Sequence, residues 1–215
     1  MLFTDPWAIT VAEDFDADGW LYIPREMSEE ERREWVTAAL ERLRPMIGVE
    51  RWDGSATTSS HLRELLESGI EREVDMESLA TFQVWPIPGP AALLCRVTVV
   101  PSRIVRGVLG NPPVGVVHPV DATHIGPGVQ FSTRTPVELE EGVVDLYSVD
   151  LIFDDGTAAV VISLEQSMAA LITHAFPGLG VLKDVVQIDR PDGSRFTSTQ
   201  PTVVPDVQPW EMTLS

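Results

Sequence analysis

The stretch VVDLYSVDLIFDDGTAAVVISL, residues 143–164, decides the fold. Two runs rich in β-branched and aromatic residues flank Asp154-Asp155-Gly156, a turn triplet that brings the runs together as an antiparallel hairpin. The second run, 157–164, is apolar on both alternating sets of positions, so it predicts a central strand covered on both faces.

Downstream, Ser163 and Gln166 have the spacing of a capping box, and Met168, Leu171, Ile172, Ala175 and Phe176 recur on one helical face. A helix is predicted to start there and to end at Pro177-Gly178. VLKDVVQIDRPDGSRFTS, residues 181–198, predicts a last hairpin turning at Pro191-Asp192-Gly193. The Pro-rich residues 201–215 predict an extended tail that docks through Val203, Val204, Trp210, Met212 and Leu214.

Upstream, WAITVA (7–12) and WLYIP (20–24) are short strands predicted to pair as a hairpin across an Asp-rich link. Ser28 and Glu31 then form a capping box, followed by an apolar stripe of Trp35, Ala39, Leu43 and Met46 that Pro45 and Gly48 bring to an end. A second helix follows the polar run 55–60, with Leu62, Leu65, Leu66 and Ile70 on one face. Residues 79–101 predict two strands around a Pro/Gly turn at 86–90, and residues 103–128 a strand or two joined by ordered loops. Paired strands with helices between them predict an α+β fold. Its mainly antiparallel sheet is flanked by helices as an α/β/α sandwich, in one domain spanning 1–200.

Composition narrows the functions. The 33 acidic residues against 15 basic ones leave a formal charge of −18, which repels phosphate backbones and anionic headgroups and argues against nucleic acid and membrane as partners. No apolar run reaches the ~20 residues that cross a bilayer, and the acidic start lacks the basic region of a secretory signal, so a cytoplasmic location is expected. The single cysteine, Cys95, sits in an apolar run and reads as a buried thiol rather than a nucleophile. No cofactor is implied, because no Walker loop, dinucleotide glycine pattern, nucleophile elbow or HExxH pair is present.

Four stretches in this order carry a resemblance: GWLYIP (19–24), EERREWVTAALERL (30–43), ALLCRVTVV (92–100) and VDLYSVDLIFDDGTAAVVISLEQS (144–167). Together they resemble uncharacterised actinobacterial proteins whose layout is similar to the PsbP-like α/β/α sandwich, over most of residues 7–190. The resemblance implies an accessory or binding protein without a shared catalytic constellation, so no site residues carry over from it.

Two loops offer ligands. DFDADG (14–19) places Asp14, Asp16 and Asp18 at the first, third and fifth positions of a calcium loop. The twelfth position, which needs a bidentate Glu, is Arg25, and Pro24 blocks the helix that should follow; a turn at Asp18-Gly19 is the competing structural reading. HPVDATH (118–124) spaces His118, Asp121 and His124 in a Pro/Gly-bounded loop, a donor set suited to zinc or another divalent ion. Of the six tryptophans, Trp35 fits a core stripe, while Trp7, Trp20, Trp52, Trp85 and Trp210 fall near strand ends, turns or the tail. An exposed tryptophan would favour a binding role.

The expected function is a non-enzymatic accessory or protein-binding module acting on a protein partner or by self-association. The alternative is a small-molecule or metal-binding protein, or a hydrolase, built on His118, Asp121 and His124.

Overall fold

The chain is described here from a computed structural model, over residues 6–12, 15, 17–47, 56–74, 78–110, 115–139 and 142–199. Among the described residues nine strands and four helices follow in the order β1 (Ala8–Val11), β2 (Trp20–Ile23), α1 (Glu29–Ile47), α2 (Ala56–Val74), β3 (Ala80–Val84), β4 (Leu93–Pro101), α3 (Ser102–Gly110), β5 (Gly115–Ala122), β6 (Gly126–Leu139), β7 (Gly142–Asp154), β8 (Ala158–Met168), α4 (Ala169–Val185) and β9 (Val186–Asp189). The main sheet has seven antiparallel strands in the order β2-β3-β4-β8-β7-β6-β5, and β1 pairs with β9 in a separate ribbon.

Alternation along the strands sorts the side chains into two layers. Phe82, Cys95, Val97, Leu151, Phe153, Val160, Ile162 and Leu164 face α4 and the β1–β9 ribbon, which contribute Leu171, Ala175, Leu179, Leu182, Val186 and Ile188 to the larger core. On the opposite face Leu21, Ile23 and Leu94 pack under α1 and α2, and Val117, Val129, Phe131, Ile152 and Ala159 pack with Val105 of α3. The fold is therefore α+β with helices on both faces of the sheet. β8 lies between β4 and β7, the central place expected of the mainly apolar run 157–164.

The α1 cap forms as its spacing predicts: the Ser28 amide donates to Glu31 Oε2 at 2.8 Å and the Glu31 amide to Ser28 Oγ at 3.3 Å. The buried stripe is Val36, Ala39, Leu43 and Ile47, turned slightly from the predicted one, with Trp35 and Met46 at its margin. Pro45 does not stop this helix, which buries Ile47 beyond it.

Several expectations are corrected. β1 and β2 are not a hairpin: β2 pairs with β3 and β1 with β9, so long-range partners outcompete the local one. Ser163 and Gln166 cap no helix. Both lie in β8, because pairing with β7 carries the strand to Met168, and α4 then starts without a side-chain cap. α4 also passes through Pro177 to Val185. An internal proline costs a helix about 3 kcal/mol, whereas burying Leu179 and Leu182 beyond it returns about 1.5–3 kcal/mol each. Residues 102–110 form α3, whose β-branched Ile104, Val105 and Val108 read locally as strand. Ser102 Oγ and Arg106 Nε anchor α3 by donating to Asp154. Of the last hairpin, the turn at Pro191–Gly193 and a bridge between Asp189 and Arg195 are present, but residues 181–185 are helical. The tail, 201–215, lies outside the described residues.

Cys95 is fully buried in the α4-side core, and burial pushes its thiol strongly up. Among the four described tryptophans, Trp20 and Trp85 are buried and Trp7 and Trp35 are partly buried, so none is exposed. Trp52 and Trp210 lie outside the described residues.

Candidate functional site

Strands β6 and β7 outrun their neighbours. Among the described residues β5 begins opposite Thr133 and β8 ends opposite Leu146, so Arg134–Leu139 and Gly142–Asp145 continue as a two-stranded arm. By alternation Val137, Leu139, Val144 and Leu146 share one face of this arm, and Met168 is paired with Leu146 at its base. Leu139 is 57% exposed, Val144 37% and Met168 53%. Val143, on the other face, is 65% exposed. That other face is tied by an ion pair between Arg134 and Asp145.

Below the arm the sheet bends at a bulge in which Glu165 and Gln166 oppose the single residue Ser148. Glu165 is held there by Arg72 of α2 and by the Leu94 amide. On the α4 side of the sheet, α4 packs on β7 and β8 but stops short of covering β6. A half-open cleft of about 330 Å³ results, walled by Ile172, Phe176 and Pro177 of α4 and by Val149 and Tyr147 of β7, with Gln130 and Ser132 of β6 on its floor. Gln130 Nε2 donates to Ser132 Oγ at 3.1 Å. Among the described residues no carboxylate, ammonium, guanidinium or imidazole lines it.

The opposite face carries a polar row across the centre of the sheet: Arg96 on β4 is paired with Ser163 on β8, and Ser163 with Asp150 on β7. Burial pushes the Asp150 carboxyl up, opposed in part by its hydrogen bond with Ser163. Arg96 Nε is buried without a hydrogen-bond partner. The row holds an acid, a hydroxyl and a cation but no histidine; all four histidines are exposed.

The ligand loops named from sequence do not gather. His118 and Asp121 lie on edge strand β5 rather than in a loop, paired with Gln130 and Pro127, and their odd spacing points them to opposite faces. His124 sits in the following turn. Asp14 and Asp16 lie outside the described residues. Asp18 and Gly19 form a turn in which Gly19 has φ +77° and any Cβ would collide with the Trp85 carbonyl. Among the described residues no group of three or more His, Cys, Asp or Glu is placed to hold a metal. No described helix is long and apolar enough to cross a membrane.

The arm and the cleft both depend on β6, a strand not predicted from the sequence. Its signal is the alternation of Val129, Phe131 and Thr133 with Gln130, Ser132 and Arg134. No family model, curated protein or solved structure matches the chain.

Proposed function

We propose that the protein is a non-enzymatic binding module whose contact element is the β6–β7 arm. One observation carries this reading: a contiguous apolar stripe of Val137, Leu139, Val144, Leu146 and Met168 stays partly or largely exposed on a ribbon that projects past the sheet. Two strands alone are marginal in water, and clustered exposed apolar residues mark interaction sites. The outer edge of β7 beyond Leu146 has no paired strand among the described residues, so an extended segment can add to it through backbone hydrogen bonds.

The partner is a different protein that presents apolar side chains flanked by basic residues. Two copies at −18 each repel one another, whereas a basic surface is attracted and oriented. A photo-crosslinking residue at Val144 tests this reading. It is expected to capture one partner that, once purified, binds the wild type, loses at least tenfold in affinity to Leu139→Asp, and binds more weakly as salt is raised. Crosslinks to a second copy with a doubled mass by light scattering would replace this reading with self-association. An unchanged affinity for Leu139→Asp, with the melting temperature also unchanged, would overturn it.

A further inference from the structure

The cleft between α4 and the β6–β7 strands opens on the opposite face of the sheet from the arm's apolar stripe, so partner docking does not account for it. We infer that this cleft is a binding site for a neutral, mainly apolar small molecule carrying one hydrogen-bonding group, such as an aromatic or aliphatic alcohol.

The size fits: about 330 Å³ lies at the lower end of the ~300–1,000 Å³ typical of small-molecule sites. One wall is apolar, formed by Ile172, Phe176 and Pro177 of α4. Phe176 is 39% exposed, although the helix positions on either side of its stripe, Ile172 and Leu179, are buried in the core. An exposed phenylalanine ring at the rim of a cleft gains by covering an apolar guest.

The floor supplies the polar anchor. Ser132 Oγ accepts from Gln130 Nε2 at 3.1 Å and keeps its own proton to donate. A guest hydroxyl or carbonyl oxygen seated above Ser132 accepts a hydrogen bond from that hydroxyl. Charge is selected against on two grounds. An ionised guest would lose water with no countercharge in the lining, a cost that neutral groups escape. An anion is further repelled by the −18 chain.

Two neutral probes, 2-naphthol and 1-octanol, and their anionic counterparts 2-naphthoate and octanoate test the inference on the full chain. Saturable one-to-one binding of at least one neutral probe is expected, with amide chemical-shift changes centred on Ser132, Val149 and Thr173, and at least tenfold weaker binding of its anion. Thr173 is exposed and lines the cleft, so Thr173→Phe fills the space without removing a core contact. It should weaken the probe at least tenfold at an unchanged melting temperature, and Ala169→Phe, at the helix start, provides a second filled variant. Ser132→Ala should weaken 2-naphthol but leave naphthalene unaffected. Failure of both neutral probes to saturate, equal affinity for the anions, or shift changes located elsewhere would overturn the inference.

Discussion

Replacing Gly178 with alanine tests how α4 is seated on the sheet. Two effects oppose each other. In a helix interior alanine is favoured over glycine by about 1 kcal/mol. Against this, a Cβ at position 178 would overlap Trp20 Nε1 and stand 2.5 Å from Cε2 and 3.0 Å from Cδ1. Trp20 is only 4% exposed, and its ring is braced by Phe15 and Phe82, each with its centroid 6.1 Å away, so it has little room to retreat. Overpacking a core costs about 1–3 kcal/mol, and contacts this short against a braced ring place the cost at the upper end. The net loss is then about 2 kcal/mol, equivalent to a fall of about 4–8 °C in melting temperature for a chain of this size. Calorimetry and urea unfolding measure it directly. Trp20→Phe removes the indole nitrogen that a Cβ would overlap, so in that background the same change should cost at least 1 kcal/mol less. A melting temperature that stays level or rises in the single variant, or strictly additive losses in the double variant, would refute the close seating of α4 on Trp20.

Leu171→Ala should cost about 2–5 kcal/mol, since Leu171 is 6% exposed in the α4-side core; a loss below about 1 kcal/mol by urea unfolding would show that this site collapses freely. Asp150→Asn probes the partly buried acid on the other face. Because burial raises the Asp150 pKa in the folded state, its contribution to stability is fully present below the unfolded value and is lost as pH rises through the folded value. The asparagine variant should therefore gain relative to wild type as pH climbs above about 4, the unfolded value. Parallel pH profiles of the urea midpoint for the two proteins would contradict this.

What the sequence determined by itself was local. The 143–164 hairpin, the Ser28–Glu31 cap, the Asp18-Gly19 turn and the Leu171, Ile172 and Ala175 part of the α4 stripe each follow from residues a few positions apart, where steric preference and hydrogen-bond reach act without the rest of the chain. Of the other residues predicted on that stripe, Met168 falls in β8 and Phe176 stays exposed. Sequence also carried the helix-flanked antiparallel sheet, through the order of its elements. Tertiary structure decided which partner each short strand takes, whether Pro177 ends a helix, and whether Ser163 belongs to a cap or a strand. These choices turn on burial against distant residues, which outweighs local penalties of a few kcal/mol. The spacing of His118, Asp121 and His124 suggested a ligand set, but a spacing has chemical meaning only once the backbone is known, and on a β-strand residues three apart point to opposite faces. The arm and the cleft lie furthest from local reading. They exist because β6 and β7 are longer than the strands beside them and because α4 stops short of β6, and both are differences in extent between elements that only packing sets.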